Sequence, residues 1–98
     1  MGWVGTDPRI TTFEDGRQIM KVQVATDEAY KDRNEEWRQE VTWHTIVALS
    51  GEEMPRFTDI KKGQMIRVLG KIKNKYFETR DRQIRQMAEI SATELSII

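Results

Sequence analysis

Hydrophobic and polar residues alternate with a period of two over three long segments of the chain. These segments run from Met20 to Thr26, from Val41 to Leu49 and from Ile66 to Ile72. Side chains two residues apart lie on the same face of a strand, so this period predicts half-buried β-strands. A fourth segment, Ile84 to Ile90, follows the same period, although Gln86 interrupts its apolar parity.

Turn signals separate these segments. Asp7-Pro8 predicts a bend near the start of the chain, and Asp15-Gly16 predicts a tight hairpin before the first long strand. Residues 27–36 are mostly polar and rich in acidic side chains, which predicts a long hairpin loop. Residues 78–82 are polar as well and predict the tip of a last hairpin.

One segment, Gly51 to Ile60, has helical character, with Pro55 suited to a first turn and a length of one or two turns. With Met1 to Gly5 as a short first strand, the resulting order is three strands, a short helix and two strands, followed by the apolar end Leu95 to Ile98 as a short strand. This order predicts an all-β, five-stranded OB-fold barrel with one short helix between strands 3 and 4, formed as one domain by residues 1–98. Gly70 marks a sharp bend in the fourth strand.

Composition excludes several classes of site. The 98 residues include no cysteine and one histidine, which excludes disulfides, thiolate metal sites and a Cys/His nucleophilic pair. We therefore expect no metal and no cofactor. The carboxylates show no paired arrangement and no glycine-rich phosphate loop accompanies them, so the sequence predicts a binding protein and not an enzyme. No membrane-spanning segment or signal peptide is present, and we expect a cytoplasmic protein.

The charges are balanced in number but not in position. Lysine plus arginine and aspartate plus glutamate both total 16. Residues 1–55 hold 6 basic and 11 acidic side chains, whereas residues 56–85 hold 10 basic and 3 acidic ones. The sequence therefore predicts either an ordinary solvated surface or a local basic surface that attracts an anionic partner.

Five short motifs, in order, resemble those of one family. They are Gly5–Pro8 with Arg9–Ile10, Val24–Thr26 with Tyr30–Asp32, Thr42–His44 with Ile46–Val47, Lys61–Gln64 with Val68–Lys71, and Ala88–Ile90 with Ala92, Glu94 and Leu95. Together they resemble the bacterial-type single-stranded DNA-binding proteins over nearly the whole chain. The resemblance implies binding of single-stranded DNA without sequence preference, which protects single strands in replication, recombination and repair on the bacterial nucleoid.

The resemblance also implies a homo-oligomer, a dimer or a tetramer, with replication or repair proteins as further partners. Three departures from the family bear on these expectations. The first strand, Met1 to Gly5, is short, and Leu49 stands where the family has an aromatic residue. The chain stops at Ile98 without the family's acidic recruiting tail.

Aromatic residues are the candidates for stacking on bases. The strand pattern alone favours a core position for Trp43, whereas the resemblance makes it a stacking residue. Tyr30 lies in a polar segment, and Phe77 matches a stacking position of the family. Tyr76 lies beside it near the tip of the last hairpin, between Lys75 and Arg80, and Trp37 is a weaker candidate.

Cations interleave with these rings and predict contacts to phosphates. The candidates are Lys31, Arg38, Lys71, Lys73, Lys75, Arg80, Arg82 and Arg85. Lys71, Lys73 and Lys75 share one strand parity and should project from one face, although lysines also protect exposed sheet edges. We expect a structural or interface role for His44.

Two other functions stay open at the level of sequence. One is an OB-fold adaptor of the primosomal type, which mainly binds protein partners and holds nucleic acid weakly. Balanced charge and Leu49 favour it, whereas Tyr30, Trp43 and Phe77 oppose it. The other is a nucleic-acid-binding domain separated from an enzyme, which the motif spacing disfavours.

Overall fold

A computed structural model describes residues 1–98 and contains six strands and one helical turn. The strands are β1 (Gly2–Val4), β2 (Arg9–Thr12), β3 (Gln18–Lys31), β4 (Trp37–Leu49), β5 (Met65–Glu78) and β6 (Ile84–Ile97). A single 3₁₀ turn, Phe57–Asp59, lies between β4 and β5. The structure contains no helix with the length and apolar character that crossing a membrane requires.

The strands form one sheet that closes on itself. Their order is β1-β5-β6-β4-β3-β2, and β1 also pairs with β3. Five strands thus close a barrel, while β2 extends it as the hairpin partner of β3. The β4–β6 pair is parallel and the other pairs are antiparallel. This arrangement confirms the predicted five-stranded OB-fold barrel.

The core follows the period-two pattern of the sequence. Met20, Val22 and Val24 point inward from β3, and Ile46 and Ala48 point inward from β4. The helical turn contributes apolar side chains to the same cluster. The remaining buried members are Val4, Phe57, Ile60, Ile66 and Leu95. Burying each of these larger side chains stabilises the fold by about 1.5–3 kcal/mol.

Three local predictions need correction. Residues 27–36 are not a long loop, because β3 continues to Lys31 and β4 begins at Trp37, with a tip of five residues between them. The backbone ladder needs no apolar side chains, so a polar segment can extend it. The helix predicted over 51–60 is one 3₁₀ turn. The end of the chain is part of β6 and not a separate strand.

Two hairpins project beyond the barrel. We call them the β3–β4 arm (residues 26–42) and the β5–β6 arm (residues 72–88). The register between β5 and β6 shifts at Leu69/Gly70, where a Cβ on Gly70 would collide with the carbonyl oxygen of Ser91. The shift leaves Thr93 of β6 without a partner, so the bulge lies in β6 opposite Gly70 and separates the barrel part of the β5–β6 ladder from its arm. The sharp bend expected at Gly70 of β5 stays a prediction. The molecule measures 56 × 42 × 21 Å along its principal axes.

Candidate nucleic-acid interface

Strand register places the candidate residues on two opposite faces. Residues directly opposite each other in a ladder project to the same face. Trp43 pairs with Ala25, Thr45 pairs with Glu89, and Glu89 pairs with Lys73. The odd-numbered residues of β3 and β4, of β5 from Lys71 and of β6 to Ser91 therefore form one continuous surface, which we call the outer face.

Trp43 lies near the centre of the outer face, and 58% of its surface is exposed. It does not belong to the core, so the core alternative is excluded. Ala25 separates it from Trp3, and both tryptophans pair with this small residue. The edge of the Trp43 ring lies over Gly5, where an added Cβ would collide with the ring. The indole is thus supported from one side and open on the other.

Trp37 extends the apolar surface along the β3–β4 arm. It lies six residues before Trp43 on the same face, which is roughly 20 Å along a strand. Val41, also exposed, lies between them. The ammonium nitrogen of Lys31 lies 5.4 Å from the centre of the Trp37 ring, a cation–π contact with its cross-strand partner. This end of the outer face therefore presents a ring and a cation together.

The β5–β6 arm supplies most of the positive charge. Lys71, Lys73 and Lys75 share the outer face as predicted, with Phe77 and its pair Arg85 beyond them. Lys71 and Lys73 form no ion pair, whereas the Lys75 ammonium lies 3.2 Å from a carboxylate oxygen of Glu89. Two exposed lysines on this strand are thus free to receive an anion.

Tyr30, Arg38 and Tyr76 lie on the other face of the two arms. Tyr30 pairs with Arg38, and Tyr76 pairs with Gln86. All of these side chains are exposed. The structure therefore does not bring the predicted stacking residues together on one surface: Trp37, Trp43 and Phe77 share the outer face, and the two tyrosines do not.

The tip of the β3–β4 arm is held by a carboxylate. Asp32 accepts hydrogen bonds from the backbone amides of Asn34 and Glu36 and from Nε of Arg38, the last at 2.9 Å. The Arg38 guanidinium, followed by these amides, lowers the pKa of Asp32 below its ordinary value. Glu36 contacts the same guanidinium at 3.6 Å. Arg38 is therefore already paired in the free protein.

The tip of the β5–β6 arm carries Arg80 and Arg82 in a polar turn. The hydroxyl of Thr79 donates to Asp81 and lowers the pKa of that carboxyl. Arg82 adopts a positive φ of 59°. Both arginines are exposed and without an ion pair, so they extend the cationic surface beyond Phe77.

His44 projects from the inner side of β4 and is half-buried. Its Nε2 and the hydroxyl of Thr26 lie 2.9 Å apart in a hydrogen bond between β4 and β3. The same ring lines a small apolar cleft with Val24, Ile46 and Ile66. This position suits the structural or interface role expected from the sequence.

Several residues of the outer face are not predicted as site residues by the sequence. Lys21 and Glu89 lie on it, and Arg9 and Lys21 line a cleft that ends at Glu89. Each of these residues lies at a polar position of a strand. The alternation of polar and apolar residues within one strand, however, does not tell which residues of the neighbouring strands lie on the same face. Pairing register carries that information, and it is visible only in the fold.

Comparisons with known proteins find related sequences. The model of the family described as "Single-strand binding protein family" matches residues 1–98. The "Single-stranded DNA-binding protein" of Rhizobium meliloti (strain 1021) is 32% identical over 93 residues, covering 92% of this chain and 53% of that protein. "Single-stranded DNA-binding protein 1" of Xylella fastidiosa (strain 9a5c) is 32% identical over 101 residues, covering 100% of this chain and 73% of that protein. The chain thus spans about half the length of the Rhizobium relative.

Solved structures share the fold. The structure described as "Plasmodium falciparum SSB complex with ssDNA" has a TM-score of 0.81 and 26% identity, and covers 99% of this chain and 89% of that one. A deletion mutant of the single-stranded DNA binding protein from Thermus aquaticus has a TM-score of 0.78 and 19% identity, and covers 99% of this chain and 47% of that one. At 19% identity, the likeness to the Thermus aquaticus protein supports the fold alone.

Proposed function

This chain belongs to the single-strand binding protein family, and from that membership we propose that it binds single-stranded DNA without sequence preference. The proposed role is to protect single strands exposed during DNA replication, recombination and repair. Binding requires flat apolar surfaces for the bases and cations for the phosphates. The proposal includes no catalytic step.

One observation carries the proposal: the exposed indole of Trp43 shares the outer face with free lysines of β5. Phe77 and Trp37 lie toward the two ends of that face. Every base has a flat π-face, so rings of this kind stack without reading sequence, and each stacked base contributes ~1–3 kcal/mol. We expect Lys71 and Lys73, which share this face, to neutralise phosphates between the rings.

We propose that the strand follows the outer face from Trp37 through Trp43 to the β5–β6 arm. Tyr30 and Tyr76 are reached only by a strand that also passes around the arms to their other face. Lys31 and Lys75 change partners on binding, since Trp37 and Glu89 hold them in the free protein. Arg38 contributes least, because Asp32 and Glu36 already pair with it.

A fluorescence titration with oligo-dT tests the proposal directly. Stacking of a base on Trp43 should quench part of the tryptophan emission, and duplex DNA of the same length should bind much more weakly, because its bases are paired. Trp43→Phe keeps a ring and should retain most of the affinity while losing the quenching from this site. Equal binding of duplex and single strands would contradict the proposal.

We also propose that the protein forms a homo-oligomer, as the family resemblance implies. The face opposite the outer face supports this, because Ile72 and Ile84 are more than 70% exposed there, beside Tyr76. Ile84 lies diagonally next to Tyr76 in the β5–β6 ladder, and neighbouring exposed apolar side chains of this kind are typical of interaction sites. Native mass spectrometry should give a dimer or a tetramer, and a monomer at tens of micromolar would count against it.

The same apolar face favours a second candidate function, an adaptor that mainly binds protein partners. The two functions give different results for Ile84→Ser. An adaptor would lose partner binding and keep its weak DNA affinity. A single-strand binding protein would keep high affinity per binding site, because Ile84 lies away from the outer face.

A further inference from the structure

A carboxylate is buried in the middle of the cationic outer face. Glu89 is only 3% exposed, although it projects from β6 to the same face as Trp43 and Lys73. Thr45 on β4 and Lys73 on β5 are its pairing neighbours. No other acidic residue of the chain is buried. The cationic outer face therefore has one buried acidic group near its centre.

Two exposed lysines from different parts of the sheet converge on this carboxylate. Oε1 of Glu89 lies 3.2 Å from Nζ of Lys75 on β5, and Oε2 lies 3.7 Å from Nζ of Lys21 on β3. The second distance is an ion pair without a hydrogen bond, and Oε2 has no hydrogen-bond partner. Both lysines are accessible to solvent, whereas the carboxylate between them is not.

The surrounding surface is open and suited to a nucleic-acid strand. Two clefts meet at Glu89: one is lined by Arg9, Thr11 and Lys21, and the other by Leu49, Lys73 and Ser91. The first supplies a further cation and the second an apolar wall. A phosphate that enters either cleft comes within reach of the lysines held by Glu89.

A buried carboxylate needs its counter-charges, because removing the charge from water is costly unless cations compensate it. Lys21 and Lys75 can therefore turn to a phosphate only by weakening this compensation. We propose, on the basis of the proposed function, that Glu89 is an internal competitor that restrains Lys21 and Lys75. It lowers the electrostatic affinity for single-stranded DNA and its dependence on salt.

Glu89 reduces the combined net charge of Lys21, Lys75 and Glu89 from two positive charges to one. Removing the carboxylate charge adds about one effective phosphate contact. This should steepen the plot of log affinity against log salt by ~0.7 for a single strand. For each ten-fold fall in salt, the affinity of such a variant relative to wild type should rise about five-fold, which is that slope expressed as a ratio.

The experiment compares Glu89→Gln with Glu94→Gln by titrating oligo-dT at several salt concentrations. Both variants gain one unit of charge on β6, but Glu94 is exposed, pairs with Leu69 and lies beyond the bulge. Glu89→Gln should steepen the slope and tighten binding at low salt, and Glu94→Gln should do neither to the same extent. Equal slopes for the two variants, with wild-type protein binding normally, would overturn this inference alone.

A second measurement does not depend on folding of the variant. The side-chain carboxyl ¹³C resonance of Glu89 in wild-type protein should shift when oligo-dT saturates the site, because its lysines change partners. The resonance of Glu94 should stay in place. An unmoved Glu89 signal in a saturated complex would overturn the inference. Failure of the wild-type protein to bind oligo-dT at all would overturn the proposed function and this inference with it.

Discussion

At the scale of single residues, the first prediction concerns Trp43. Its ring is mostly exposed and rests on Gly5, so its removal should hardly affect the core. Trp43→Ala should weaken binding of oligo-dT by ~1–3 kcal/mol, because one stacking surface is lost. The salt dependence should stay unchanged, since the indole contacts no phosphate. Affinity titrations at two salt concentrations, with a melting curve, measure these effects.

Phe57→Ala serves as the comparison for folding. Phe57 is buried in the core cluster, and its truncation should cost ~3–5 kcal/mol of stability. A Trp43→Ala protein that melts as early as this variant, yet binds DNA normally while folded, would contradict the stacking role.

The second prediction uses two neighbouring aromatic residues that face opposite ways. Phe77 lies on the outer face and Tyr76 on the other face of the β5–β6 arm, and both are exposed. Phe77→Ala should weaken oligo-dT binding by ~1–3 kcal/mol, whereas Tyr76→Ala should change it by much less. The paired titration decides which face of the arm the strand follows. The opposite ranking would place the strand on the face of Tyr76.

At the scale of elements, the third prediction concerns Gly70 of β5, which lies opposite the bulge of β6. A Cβ at Gly70 would collide with the backbone of Ser91, which cannot move without disturbing the β5–β6 ladder. Gly70→Ala should destabilise the protein by ~1–3 kcal/mol, as overpacking typically does. Gly51→Ala is the control, because its Cβ would meet no atom within 4 Å. The control should be neutral or stabilising in thermal unfolding.

The fourth prediction concerns the tip of the β3–β4 arm. The pKa of Asp32 is lowered in the folded protein, mainly by Arg38. The ordering that its carboxylate provides is therefore present above the unfolded value of about 3.9 and is lost as the pH falls through the lower folded pKa. Amide resonances of Asn34 and Glu36 should follow this titration. In Asp32→Asn that transition should be absent, and its persistence would assign it to another group.

At the scale of the whole molecule, charge is segregated between the two arms. The β3–β4 arm contains six acidic and three basic residues, whereas the β5–β6 arm contains two acidic and five basic ones. A protein with no net charge therefore carries a local positive field on the outer face and on the tip of one arm. Position, and not total charge, should govern binding.

The fifth prediction tests this by moving one charge. Lys73→Ala should flatten the plot of log affinity against log salt by ~0.7, the loss of one phosphate contact. Lys62→Ala removes the same charge from the turn before β5, outside the strands that form the outer face, and should leave the slope nearly unchanged. Equal effects of the two variants in salt-dependent titrations would mean that net charge alone controls affinity.

The sequence by itself determined the barrel strands, the irregular position at Gly70, and the inward positions of Met20, Val22 and Val24. These features are local, because the period of two and a missing side chain act within one strand. Parity also placed Lys71, Lys73 and Lys75 on one face. The polar ends of β3 and β4 were missed, because a hairpin ladder outside the core needs no apolar pattern.

Only the tertiary structure decided which strands share a face. The register of β4 against β6 joins Trp43 to Lys73 and Phe77, and the reversed parity leaves Tyr30 and Tyr76 on the other side. Register shifts of one residue exchange the two faces, and no pattern within a single strand records them. For the same reason the sequence shows Glu89 only as an ordinary polar position of a strand. Its burial between lysines of β3 and β5 results from the assembly of four strands.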